Sequence, residues 1–126
     1  MTGVQTCALP IFDTLLYHDP KKSALEVKTI SEQQLHAFVR NRETLALLAW
    51  EPYMHNPKLR RRLHRVSMPT LFVRGASDGL ISAEYLAGYA ALVPNSKTMT
   101  IAEAGHSPQL EQPQALATAV LNFLGT

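Results

Sequence analysis

The sequence predicts an α/β fold, with two parallel strands flanked by helices. Two observations carry the prediction. Thr70–Val73 is a short apolar, β-rich run bounded by Gly75, and Lys97–Ala102 is a second strand-like run. Between them Ser82 opens a stretch in which Leu86, Tyr89, Ala90 and Val93 fall on one helical face, ended by Pro94 and Asn95. A strand, a helix and a strand in this succession form a right-handed crossover whose strands run parallel.

The other elements follow from the N-terminus. Met1–Ile11, MTGVQTCALPI, has neither helical nor strand periodicity. It resembles the translation of a sequencing-library adapter joined in frame to a coding sequence, with native sequence beginning at about Phe12. Residues 12–30 mix apolar side chains with His18, Asp19, Pro20, Lys21 and Lys22, and read as loop with a short helix. Ser31 and Gln34 make a capping-box pattern, after which Leu35, Phe38, Val39, Leu45 and Ala49 recur at helical spacing up to Trp50. Pro52 stops that helix. Asn56 and Pro57 supply the cap and first position of another, expected to run to about Arg65. Past the second strand, Ala104–Ser107 reads as a turn, and Pro113 opens a last helix with Leu116, Val120, Phe123 and Leu124 on one stripe before Gly125.

Composition narrows the function classes. A chain of 126 residues holds one domain at most, and 46% hydrophobic with 17% charged residues is a globular balance. The formal charge of +2 is too small for a nucleic-acid partner, and Arg60, Arg61 and Arg62 beside Lys58 and Arg65 read as a solvated helix face. Cys7 alone makes no internal disulfide, and five scattered histidines match no zinc-ligand spacing, so neither metal nor cofactor is expected. No apolar run approaches the roughly 20 residues of a membrane span, and the start lacks the charge of a signal peptide. A cytoplasmic location without a membrane partner is the expectation.

The chemistry concentrates after the strands. Ligands and catalytic groups of open parallel sheets gather beyond the strands' carboxyl ends. Asp78 follows the first strand and His106 the second. A carboxylate on one imidazole nitrogen fixes the tautomer and steadies the imidazolium formed when the other nitrogen takes a proton. Read locally, Asp78 equally fits a turn aspartate capping amides beside Gly79, and His106 a surface-loop histidine.

LFVRGASDGLIS, Leu71–Ser82, and AGHSPQLEQPQALATAVLNFL, Ala104–Leu124, resemble the acid and histidine motifs of the α/β-hydrolase superfamily. Gly75 and Asp78, then Gly105, His106, Pro108, Glu111 and Pro113, occupy the motif positions, with Ser82 where many relatives have proline. The resemblance implies a C-terminal fragment of the α/β-hydrolase fold. Residues 1–11 are then non-native, 12–66 a helical cap and 67–126 the βαβα end of the core. It also implies a serine-type hydrolase acting by acyl transfer on a small-molecule ester or a carbon–carbon bond next to a carbonyl. His106 is then the base and acid, and Asp78 orients it. Trp50 and Met54, near Tyr53 and His55 at a break in the cap, are candidates to line the substrate pocket, with plain helix packing as the alternative.

The family's Gly-x-Ser-x-Gly nucleophile elbow precedes these motifs and is expected to be absent here, with its oxyanion hole. The chain alone is therefore expected to be inactive. A relative with an aspartate nucleophile, as in dehalogenases, and a non-catalytic binding protein on the same fold are the alternatives.

Overall fold

The computed structural model describes residues 12–24, 29–51 and 56–125; the MTGVQTCALPI segment lies outside them. In chain order the elements are α1 (residues 12–16), α2 (Pro20–Ser23), α3 (Glu32–Ala49), a 3-10 turn at Leu63–Arg65, β1 (Thr70–Gly75), α4 (Ala83–Ala90), β2 (Ser96–Ile101), α5 (Pro108–Glu111) and α6 (Pro113–Leu124). They form two compact units, one of Met1–Ala24 with Leu63–Thr126, the other Leu25–Arg62.

In the first unit β1 and β2 pair in parallel, in register from Thr70 opposite Ser96 to Gly75 opposite Ile101. The Ser82 hydroxyl accepts from Tyr85 N at 3.1 Å and starts α4 where the sequence places it. An edge-on contact of Phe72 with Tyr89, ring centres 6.5 Å apart, packs that helix on β1. Gly125, at φ 79°, ends α6 in the left-handed conformation that glycine adopts without penalty. Among the described residues, Val93, Ile101, Ala104 and Ala119 are buried core positions, with Pro108 of α5 buried as well. Ile101 and Ala104 put that core directly beneath the turns that follow the strands. Residues 97–100 of β2 are exposed, as are Leu121 and Leu124 of α6. A parallel sheet is ordinarily covered on both faces, and this one is covered in part.

The second unit carries α3, whose capping box is complete: Gln34 N donates to Ser31 Oγ at 3.3 Å and Ser31 N to Gln34 Oε1 at 2.9 Å. The helix expected over residues 57–65 does not form. Residues 57–62 are turns followed by the 3-10 segment, with i to i+3 bonds from Leu59 N to Asn56 O (3.0 Å), Arg62 N to Leu59 O (2.8 Å) and Val66 N to Leu63 O (3.0 Å). Asn56 Oδ1 takes Lys58 N at 3.1 Å, which holds a tight turn instead of an α-helical start. Leu59, Leu63 and Val66, spaced as one helical face, are half-buried in turns and a 3-10 segment instead. Residues 12–24, expected to belong with the cap, are part of the strand-bearing unit. Among the described residues no helix is long and apolar enough to cross a membrane.

Candidate active site

β1 ends at Gly75, and the chain turns at once, Asp78 N donating to Gly75 O at 3.2 Å. Asp78 Oδ1 accepts from Leu80 N at 2.8 Å and Ile81 N at 3.0 Å, so the carboxylate does cap its own turn. From the strand, Arg74 braces the same turn, with Nε on Ile81 O at 2.5 Å and Nη2 on Asp78 O at 3.1 Å. The second oxygen, Oδ2, is left for another partner.

That partner comes from the turn after β2. Ala76 N donates to Ile101 O at 2.8 Å and Ser77 N to Ala104 O at 2.9 Å, binding the two turns backbone to backbone. His106 N donates to Leu16 O at 2.7 Å. The outcome is His106 Nδ1 at 3.0 Å from Asp78 Oδ2, with the imidazole 40% exposed and the carboxylate side chain 5% exposed.

Burial alone would push the Asp78 carboxyl up. The amide of Ile81, the imidazole of His106 and the amide of Leu80 together outweigh it and hold the group below its ordinary value. Asp78 is therefore ionised at neutral pH and only accepts, which assigns the proton between them to Nδ1. With that proton held, Nε2 of the 40% exposed ring is the nitrogen that can take up another, which is what an imidazole base requires.

Residues the sequence left as loop complete the site. Leu15 O accepts from Gly79 N at 2.9 Å, and His18 Nδ1 lies 2.8 Å from Ser77 Oγ. Glu111 Oε1 accepts from His18 N (2.8 Å) and Asp19 N (3.0 Å), and Oε2 from Gly105 N (2.6 Å). Burial raises the Glu111 carboxyl, and the amides of Asp19, Gly105 and His18 with the Ser23 hydroxyl bring it below its ordinary value. The Gly-His-x-Pro-x-x-Glu spacing was the signal for Glu111. Residues 15–19 carry no periodicity that would have singled them out.

The letters of the nucleophile elbow do occur, at Gly75–Ala76–Ser77–Asp78–Gly79, within the acid turn itself. They do not make an elbow. An elbow serine sits in a strained strand-to-helix turn and the following amide serves the oxyanion. Positive φ outside glycine belongs, among the described residues, to Asn95 and Glu103, and the Asp78 amide is engaged by Gly75 O. Trp50 is 70% exposed and belongs to the Leu25–Arg62 unit, and Met54 lies outside the described residues. No three His, Cys, Asp or Glu side chains among the described residues are grouped to hold a metal ion.

A parallel βαβ unit with a carboxylate after its first strand and a bonded histidine after its second is the C-terminal arrangement of an α/β-hydrolase fold. The chain belongs to that family: the family model described as alpha/beta hydrolase fold matches residues 14–113. It is 33% identical over 79 residues to a pimeloyl-(acyl-carrier protein) methyl ester esterase of Stenotrophomonas maltophilia, covering 63% of this chain and 30% of that protein. It is 34% identical over 68 residues to the enzyme of the same name from Xanthomonas oryzae, covering 54% and 27%.

Among solved structures, a thermophilic esterase from Thermogutta terrifontis matches at 32% identity and a TM-score of 0.51, over 54% of this chain and 25% of that one. A serine hydrolase involved in carbazole degradation matches at a TM-score of 0.62 and 20% identity, over 97% of this chain and 47% of that one, which shows the shared fold. The chain thus spans about a third or less of the curated relatives it matches.

Proposed function

We propose that Asp78 and His106 are the acid and base of a serine-type hydrolase that cleaves esters by acyl transfer. The observation that carries this is the 3.0 Å bond from His106 Nδ1 to an Asp78 oxygen whose twin is fixed by two backbone amides. His106 Nε2 takes the proton of a serine hydroxyl as that oxygen attacks the ester carbonyl, and Asp78 stabilises the imidazolium. The imidazolium then protonates the departing alkoxide. Water repeats the sequence on the acyl-enzyme and regenerates the serine.

Ester substrates are favoured over carbon–carbon bonds because the relatives above 30% identity are named esterases. The nucleophile and oxyanion amides are assigned to parts of the parent protein other than these 126 residues, which are inactive alone. Ser77, the serine seen on an imidazole among the described residues, contacts His18 and not His106. The cap holds the small-molecule substrate, with Trp50 and Met54 as its first candidate contacts, and the enzyme works in the cytoplasm.

The test is the full-length parent enzyme carrying His106→Ala. Turnover of a p-nitrophenyl ester falls by roughly 10⁴-fold or more with binding little changed. Turnover within a few fold of the unaltered enzyme overturns the assignment.

A further inference from the structure

Glu111 is not part of the Asp78–His106 pair, yet its carboxylate reaches both arms of it. Oε2 holds Gly105 N at 2.6 Å, one residue before His106. Oε1 holds the amides of His18 and Asp19, and the His18 ring lies on Ser77, one residue before Asp78. Leu16 O takes the His106 amide and Leu15 O the Gly79 amide, so residues 15–19 lie across both turns. Glu111 itself ends α5, whose first residue, Pro108, is buried, and Gln112 beside it bonds to Pro108 O and Glu103 O. The carboxylate is thus presented from a fixed support.

We infer that Glu111 is a positioning residue for His106: it fastens residues 15–19 to Gly105 and so holds the imidazole against Asp78 Oδ2. The inference rests on reading that pair as acid and base. Three N–H donors converge on two oxygens, and only a carboxylate accepts at both ends. Glutamine would set its own N–H₂ against an amide N–H on one arm. Charge assistance makes these bonds stronger than neutral ones.

The test uses the full 126-residue chain, ¹⁵N-labelled, and reads the His106 ring by NMR. The unaltered chain is expected to show a downfield Nδ1–H proton that Asp78→Asn removes. The amides of Gly105, His18 and Asp19 are expected to exchange slowly. In Glu111→Gln the ring proton is lost and the three amides exchange roughly tenfold to a hundredfold faster. Leu116→Ala, which trims an apolar residue of α6 and lowers the melting temperature, leaves the ring proton in place.

A folded Glu111→Gln chain that keeps the ring proton overturns the role of Glu111 and leaves the acid–base reading standing. An unaltered chain without an Asp78-dependent ring proton overturns that reading first, and the inference with it. If the glutamine variant does not fold, the unaltered chain decides: fast exchange at Gly105, His18 and Asp19 overturns the inference, and joint protection supports it.

Discussion

Gly75 and Gly105 touch backbone to backbone, and a Cβ on Gly75 would run into the carbonyl oxygens of Gly105 and Ala104. The strand end that precedes the acid and the turn that precedes the histidine are therefore as close as two chains can lie. Glycine is required at residue 75 for that approach. Its φ is not positive, so conformational freedom is not the reason. Gly75→Ala should push the turns apart and lower stability by about 1–3 kcal/mol, the scale of overpacking in a tight site. A urea midpoint that falls with an unchanged slope is the expected record. An unmoved midpoint would show that the turns do not press on each other.

Stability should decline in acid, and the sign follows from Asp78 and Glu111. Both carboxyls lie lower in the folded chain than their ordinary values of 3.8 and 4.5. Between folded and unfolded values the unfolded chain binds more protons, so folding weakens as pH falls. The contribution is complete above the unfolded values and disappears as pH drops through the folded ones. The melting temperature should therefore fall below about pH 4.5, first through Glu111 and then through Asp78. Glu111→Gln and Asp78→Asn should each flatten part of that slope. A slope unchanged in both variants would place the acid sensitivity elsewhere.

Ser82, where the family resemblance implies a proline, starts α4 with a geometry that suits either residue. Its hydroxyl caps α4 through Tyr85 N, while its φ of −73° already suits a proline ring. Ser82→Ala should lower stability by about 1 kcal/mol, the usual loss of an N-cap. Ser82→Pro should lower it less, because a fixed φ reduces the freedom of the unfolded chain. Thermal melts of the two variants decide, and a proline variant weaker than alanine would contradict the argument.

What was legible in the sequence is what local chemistry dictates. Ser31 with Gln34, Ser82, Pro113 and Gly125 each mark a helix end by a bond or a φ that only a few residues provide. Asp78 and His106 stand out because they lie in the turns after the two strands and within motifs that resemble those of the family. Turn capping and a bond to His106 do not compete at Asp78, since one oxygen caps the turn and the other meets the imidazole. The contribution of residues 15–19 was not legible, because backbone carbonyls of Leu15 and Leu16 do the work and a carbonyl leaves no mark on residue type. The absent helix at residues 57–65 failed for the opposite reason. Its Asn-Pro start fits a helix cap and a tight turn equally, and here the Asn56 side chain closes the turn on Lys58 N.

Glu103 offers the last test, because its backbone is strained where the site can register the strain. It follows β2, three residues before His106, with φ at 52°. Asn95, which precedes the same strand at φ 58°, is a residue type that tolerates this region. Glutamate is not, and the left-handed conformation costs such a residue about 1–2 kcal/mol. The Glu103 side chain is exposed, and its carbonyl takes Gln112 Nε2 at 3.2 Å, a bond that any residue at this position preserves. Glu103→Gly relieves the strain but frees the unfolded chain, which returns roughly 0.5–1 kcal/mol of the gain. Glu103→Asn relieves much of it without that entropy loss. The expected order of melting temperature is therefore asparagine at or above glycine, and both above glutamate, with the His106 ring signal unchanged. A glycine variant that melts below the parent would mean that the Glu103 side chain contributes a contact worth more than the strain it imposes.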